Sequence, residues 1–305
     1  MSAFHEPVLL RESVDFLVTD SSGTYVDATF GGGGHTLELL SRLNSKAKVM
    51  AFDVDRDSRG VAVELSASEK RLSFFPENFS HVRDALGKLD MGSCAGFLFD
   101  LGVSSHQIDA ETGFSYKRAD KLDMRMDKNL EVSAYDIVNS YSAERLEKVF
   151  SKYAEEPHSR RLARAILNRR AKNKIETTFE LAHIIDKVCG KSVKTLSRIF
   201  QALRIEVNDE LGSLSEGLKA AFDLTSRGGR IVVISYHSLE DRIVKEKFKF
   251  EAATCICPPQ TIICNCGKAA RARILTRKPI LPGREEIVRN GRARSAKMRA
   301  AEKIV

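Results

Sequence analysis

The chain has 305 residues, with 49 Lys and Arg against 41 Asp and Glu for a net charge of +8; 43% of residues are hydrophobic and 30% charged. That length accommodates one large domain or two modest ones around a packed core, and the composition excludes a disordered or fibrous chain. The longest aliphatic stretches, such as Ile231–Ile234, fall far short of the roughly 18 apolar residues of a membrane span, and Glu6, Arg11, Glu12 and Asp15 interrupt any signal-peptide core, so no membrane association is expected.

In chain order, the first hundred residues alternate strand and helix patterns. Thr24–Phe30 is a short β-prone run ending in Gly31-Gly32-Gly33-Gly34, and a helical pattern follows from His35 to about Leu43. Lys48–Val54 is nearly continuously apolar, as a buried parallel strand should be. Polar helical segments then lead to strands at Arg71–Phe75 and Ala95–Leu101. This is the rhythm of a doubly wound α/β sheet. From Val103 to about Ile205 no strand pattern stands out; helical periodicities cover Ala143–Tyr153, Ser159–Lys172, Thr178–Val188 and Leu196–Leu211. A strand pattern returns at Arg230–Ser235, followed after Phe250 by a Cys/Pro loop, a further strand at Ile274–Leu281 and a basic end. The expected organisation is therefore a discontinuous α/β domain, 1–105 and 206–305, with a helical insertion at 106–205.

Positive charge is concentrated. Lys268–Val305 holds 12 Lys and Arg against 3 Asp and Glu, while the rest of the chain holds 37 against 38. Such a segment is either a solvated tail or a surface that attracts a polyanion. In Arg160–Lys174, Leu162, Ala163, Ile166 and Leu167 make an apolar helix face, and Arg161, Arg164, Asn168 and Lys172 occupy another. Two basic surfaces make RNA or DNA a serious candidate partner.

The glycine run sits between a strand and a helix, where glycines allow close approach of the backbone and the helix start offers unpaired N–H groups. A dinucleotide fingerprint fails at Thr36, which stands where its third Gly belongs, and a P-loop fails at Ile185, which replaces its first Gly. The loop of S-adenosylmethionine (AdoMet) methyltransferases, with an acid four positions ahead of the glycines, is met by Asp27. Asp53, ending the next strand about 20 residues on, is placed to meet ribose hydroxyls. Asn78-Phe79 after the third strand, Asp100 at the end of the fourth and Gln107 beyond it would line the rest of the pocket; Phe79 could equally be core.

Several blocks together resemble the ribosomal RNA small-subunit methyltransferase H family, also called MraW. They are His5–Leu10, Asp27–His35, Phe99–Gln107, Gly113–Ser115, Leu122–Asp127, Phe200–Asn208, Val233–Arg242 and Arg292–Lys297, in order along nearly the whole chain. The resemblance implies a class I AdoMet-dependent methyltransferase, with a Rossmann-like sheet and an inserted helical domain for RNA recognition. The implied reaction methylates N4 of a cytidine in the decoding region of 16S rRNA, with that RNA or the small ribosomal subunit as partner. The AdoMet contacts carried over by motif are Gly33, Gly34, His35, Asp53, Phe79, Asp100 and Gln107. Two departures are visible: Lys121 where Pro is expected, and Tyr236 for a more usual Phe.

Methylating an exocyclic amine requires positioning its delocalised lone pair and accepting its proton. Asp100 or a neighbouring carbonyl is expected to orient the amine, with Ser235, His237 and Ser238 completing a cytosine pocket; His237 could instead be an ordinary strand-end histidine. Methylation at carbon-5 is disfavoured, because it needs a Cys nucleophile beside the cofactor and neither Cys94 nor Cys189 is so placed. A basic-tailed assembly protein without chemistry, or AdoMet chemistry aimed at DNA or a small molecule, are the competing readings; the intact glycine loop and Asp53 speak against the first.

Four of the six cysteines, Cys255, Cys257, Cys264 and Cys266, crowd into twelve residues, which argues against a disulfide framework and for the reducing cytoplasm. Their C-x-C pairs are tighter than the usual zinc spacing. They read as a candidate structural zinc site or as free thiols in a mobile loop, and in neither case as a catalytic metal. The sequence leaves the oligomeric state, monomer or homodimer, undetermined.

Overall fold

The computed structural model describes residues 7–89, 92–102, 113–261 and 263–305. The chain forms two compact units, Met1–Gly102 with Leu211–Val305, and Val103–Glu210.

In the first unit the strands are β1 (Thr24–Asp27), β2 (Lys48–Phe52), β3 (Leu72–Phe75), β4 (Cys94–Asp100), β5 (Thr225–Ser235), β6 (Ala272–Ile274) and β7 (Lys297–Lys303). They form one sheet in the order β3-β2-β1-β4-β5-β7-β6. β1 to β5 pair in parallel, and β7 runs antiparallel to both β5 and β6. The period of two divides the core between the sheet's faces. Tyr25, Val49, Ala51, Leu98, Val232 and Ile234 pack on one side, and Val26, Met50, Phe52, Phe97, Ile231 and Val233 on the other. Because both faces are covered, Val49–Phe52 of β2 and Ile231–Ile234 of β5 read as unbroken apolar runs. Helices α1 (Leu10–Leu17), α2 (Gly34–Arg42) and α3 (Arg56–Ser68) contribute to the first face; α4 (Val82–Lys88) packs on the second. The order reverses between β1 and β4, and open α/β sheets bind ligands at the carboxyl ends of strands at such a switch point.

Two expectations about the end of the chain need correction. The last strand region begins earlier than Ile274–Leu281: β6 covers Ala272–Ile274, and Ile280 makes only an isolated bridge to Met298. The basic end is not a solvated tail either, since β7 lies inside the sheet. Arg299 pairs with Asp241 (2.6 Å), Arg273 with Glu302 (2.8 Å) and Arg271 with Asp223 (2.7 Å), and Lys303 donates to the Phe222 carbonyl. Part of the local positive charge is thus paired within the fold.

In the second unit the described helices are α5 (Ala134–Ser140), α6 (Ala143–Ala154), α7 (Ser159–Arg170), α8 (Thr178–Cys189) and α9 (Val193–Asn208). All but α7 begin at side-chain caps: Ser133 with Asp136, Ser142, Thr177 with Glu180, and Ser192. Leu146, Phe150, Leu162, Ile166, Leu181, Ile185, Phe200 and Leu203 belong to its core. The periodic run ending at Leu211 is two helices, because Asp209 adopts a left-handed conformation (φ 45) and α10 (Glu210–Leu224) begins after it. No strand occurs among the described residues of this unit. Lys121 forms an antiparallel bridge with Thr177, closed by Leu122 N to Glu176 O and Thr178 N to Asp120 O. Neither bond uses the Lys121 amide, so this backbone accommodates Lys where Pro is usual. Among the described residues no helix is long and apolar enough to cross a membrane.

Candidate cofactor and active site

The glycine loop is built on β1. Past Asp27, Ala28 N donates to Leu98 O (2.8 Å) and Phe30 N to Phe52 O (2.9 Å), so the loop is anchored to both neighbouring strands before the glycines begin. Asp27 is fully buried: Oδ1 accepts from Thr29 N (3.1 Å) and Oδ2 from the Thr36 hydroxyl (2.6 Å). Burial pushes its pKa up, opposed by the neighbouring His35. With both oxygens engaged, one on each side of the glycines, Asp27 braces the loop.

The glycines are required for different reasons. Gly31 (φ 53) and Gly33 (φ 78) are left-handed, and Gly33 opens α2. A Cβ at Gly34 would lie 2.4 Å from the Pro7 ring, whereas one at Gly31 would meet nothing within 4 Å. Open space therefore lies above Gly31, beside the first amides of α2, which have no partner within the helix. A ligand can thus approach the backbone closely at Gly31.

Asp53 follows β2 and ties the loop down: its Oδ2 accepts from Gly31 N (2.6 Å) and its Oδ1 from Asp55 N (2.9 Å). Burial drives its pKa up to about 6 even against these donors. Half-buried beside the glycines, it is a carboxylate short of compensating donors, which the two hydroxyls of a ribose would supply. Phe79 begins a single 3₁₀ turn, Phe79–His81, capped by Asn78. Its ring meets Phe99 edge-on (5.4 Å, 89°) and backs onto Gly217, yet it remains partly exposed. The same ring thus packs against the core and keeps part of its surface exposed.

Asp100 ends β4, and three side chains converge on it. Its N–H donates to Thr29 Oγ1 (2.6 Å), Oδ1 accepts from the Tyr236 hydroxyl (2.8 Å), and Oδ2 lies 3.6 Å from His35 Nδ1. His35 is 5% exposed, and its other ring nitrogen is 3.2 Å from Val8 O. Burial and the adjacent Asp100 raise the Tyr236 pKa well above the usual phenol value, so its hydroxyl remains a donor. Ser235 and His237 flank Tyr236 but are engaged within the fold. The Ser235 hydroxyl faces Lys297 O (3.4 Å), and His237 caps α11 (Ser238–Ala252), its Nδ1 accepting from Glu240 N (3.4 Å) and its Nε2 lying 3.0 Å from Glu240 Oε1. Gln107 lies outside the described residues.

The structure thus joins Gly31 to Asp53 and His35 to Asp100, and sets Phe79 against the strand that ends in Asp100. Sequence reasoning missed Thr29 and Thr36, whose hydroxyls lock the loop, and gave Tyr236 no role. The signal for Tyr236 was its departure from Phe.

The sheet order with its reversed final strand, the glycine loop after β1 and the acid after β2 define a class I, Rossmann-like methyltransferase fold, the class whose methyl donor is AdoMet. The chain belongs to the MraW methylase family, whose profile matches residues 2–304. It is 45% identical over 311 residues to a protein of Clostridioides difficile named ribosomal RNA small subunit methyltransferase H, covering all of both chains. A protein of the same name from Caldicellulosiruptor bescii is 46% identical over 304 residues, covering 98% of this chain and 99% of that one. A looser likeness extends to a solved rRNA methylase from Streptococcus thermophilus, at 13% identity and a TM-score of 0.42, covering 97% of this chain and 94% of that one.

Proposed function

We propose that this chain transfers a methyl group from AdoMet to the N4 amine of a cytidine in the decoding region of 16S rRNA, working in the cytoplasm on the RNA or the small ribosomal subunit. The observation that carries this reading is the clasp of Gly31 by Asp53 at 2.6 Å, with the Asp100 carboxylate at the end of β4 tethered by Tyr236 at 2.8 Å. Gly33, Gly34, His35, Asp53, Phe79, Asp100 and Gln107 would hold the donor. The choice of cytidine N4 rests on the family resemblance, and the rRNA target also on the names of the relatives.

When bound, AdoMet supplies an electrophilic methyl on its sulfonium. Asp53 would take the ribose hydroxyls, and the edge of Phe79 would cover the adenine. Asp100 would accept a hydrogen bond from N4, turning the amine lone pair toward the methyl. As the new N–C bond forms and the S–C bond breaks, one N4 proton is lost to Asp100 or through it to water. Tyr236, donating to Oδ1, fixes the carboxylate, with His35 Nδ1 3.6 Å from Oδ2. Ser235 and His237 would shape the cytosine pocket by holding the end of β5 and the start of α11. The helical unit would grip the RNA through the exposed Arg160, Arg161 and Arg164 of α7.

Calorimetric titration with AdoMet, followed by labelled-methyl transfer to small subunits from cells lacking the enzyme, tests the proposal. Binding with transfer to one cytidine, located by mass spectrometry, is expected. Failure to bind AdoMet would favour an assembly protein without chemistry, and transfer confined to DNA would redirect the substrate.

A further inference from the structure

Between α11 and β6 the chain makes an excursion, Ala253–Arg271, that lacks the usual means of holding a shape. Its described residues form no helix or strand and none of them is buried; Ile256 and Ile263 are 51% and 80% exposed. Without an apolar core, a segment of this length needs another staple.

Four sulfur atoms occupy its centre. Cys255 and Cys264 Sγ are 3.4 Å apart, Cys264 and Cys266 3.5 Å, Cys257 and Cys264 3.9 Å, and Cys255 and Cys266 3.9 Å. All four lie within 4.8 Å of one another, and none is disulfide-bonded. A tetrahedral zinc with Zn–S bonds of about 2.3 Å sets its sulfurs about 3.8 Å apart, which is the scale of this cluster. The backbone is shaped to converge: Thr261 N donates to Pro258 O (2.9 Å) to turn the chain at Pro258-Pro259, and Gly267 takes φ 61 directly after the last cysteine. Amides also point at sulfur, Ile256 N to Cys266 Sγ (3.5 Å) and Cys257 N to Cys255 Sγ (3.4 Å), as outer-shell donors do toward metal-bound thiolates.

We propose that Cys255, Cys257, Cys264 and Cys266 bind one Zn²⁺ as a closed tetrathiolate that supplies the missing core of this excursion. Each C-x-C pair contributes one edge of the tetrahedron, and Pro258-Pro259 folds the second pair onto the first. Four protein ligands leave no open position, so the site is structural and takes no part in methyl transfer.

The full chain, purified without chelator, should carry one zinc per molecule, released as a mercurial titrates four thiols. Cobalt exchanged into the site should give the visible bands and thiolate charge transfer of tetrahedral CoS₄. Cys264→Ser and Cys255→Ser should each lose stoichiometric zinc and become readily cleaved by protease within 253–271, while retaining AdoMet binding as a control on folding. The proposal is overturned if wild-type protein reconstituted with Zn²⁺ holds none, if its mass shows these cysteines paired as disulfides, or if Cys264→Ser keeps its zinc.

Discussion

Tyr236 donates its phenolic hydrogen to Asp100 Oδ1 at 2.8 Å, joining residues 136 positions apart at the ends of adjacent strands. A hydrogen bond to a charged partner contributes about 1.5–3 kcal/mol in favourable settings. Here it constrains a carboxylate that His35 also approaches, on a backbone that Thr29 holds, and the family resemblance leads one to expect Phe at this position. Tyr236→Phe should therefore lower kcat by about three- to tenfold, the loss of part of one such bond, with AdoMet affinity little changed. Asp100→Ala should abolish transfer. Steady-state kinetics on small subunits separate the two, and near-normal turnover by Asp100→Ala would remove that residue from the chemistry.

Asp53 links pH to both stability and ligand binding. Its carboxyl is raised from an ordinary value of 3.8 to about 6, so the folded chain holds this proton more tightly than the unfolded chain. Asp53 consequently burdens the fold fully above about pH 6, by up to about 3 kcal/mol, and the burden fades as pH falls toward 3.8. Ribose hydroxyls donate to the ionised form and must displace that proton. AdoMet affinity should therefore fall by up to about tenfold per pH unit below about 6, with proton release on binding near that pH. Calorimetry in buffers of different ionisation enthalpy measures both. A flat affinity through this range would remove Asp53 from the ribose contact.

The glycine positions can be told apart by alanine. At Gly31 an added methyl points into open space, so the cost to the fold is the left-handed backbone alone, about 1–2 kcal/mol. The methyl would stand where the ligand is placed. At Gly34 the backbone is ordinary but the methyl would meet Pro7 at 2.4 Å and must displace the segment leading into α1. Gly31→Ala should abolish AdoMet binding with only a modest drop in Tm. Gly34→Ala should disturb the packing of Pro7 over the loop, lowering Tm as well. Equal ligand affinity in Gly31→Ala and wild type would mean that the crevice above Gly31 is not the cofactor site.

How far the sequence revealed this arrangement depended on whether the signal was local. β1, the glycine loop, α2, β2 and Asp53 were legible because strands covered on both faces give unbroken apolar runs and the loop needs residues free of Cβ. β7 was hidden: its sequence, Lys297–Lys303, is half charged, and it becomes a sheet strand because Arg299 finds Asp241 and Lys303 finds a carbonyl. α1, α5, α10 and α11 escaped notice, and Thr29, Thr36 and Tyr236 acquire their roles only when strand ends meet. His237, whose sequence context left open a place in the cytosine pocket or an ordinary strand-end histidine, also caps α11 with Glu240, a role that only the fold reveals.

The helical unit offers a test of RNA recognition that leaves the cofactor loop untouched. Phe179, at the start of α8, is 65% exposed and lines a groove of about 430 Å³ together with His183, Lys187 and the ion pair of Arg169 with Glu180 (2.9 Å). A solvent-facing aromatic ring beside a lysine gives unpaired bases a surface on which to stack, and each such contact contributes about 1–3 kcal/mol. Phe179→Ala should weaken binding to 16S rRNA fragments by about five- to a hundredfold on that scale, raising KM for RNA while AdoMet affinity stays at the wild-type value. Lys187→Ala should instead reduce the salt dependence of binding, because it removes a charge and not a stacking face. Fluorescence anisotropy over a salt series distinguishes them, and wild-type RNA affinity in both variants would move the RNA-binding surface off this groove.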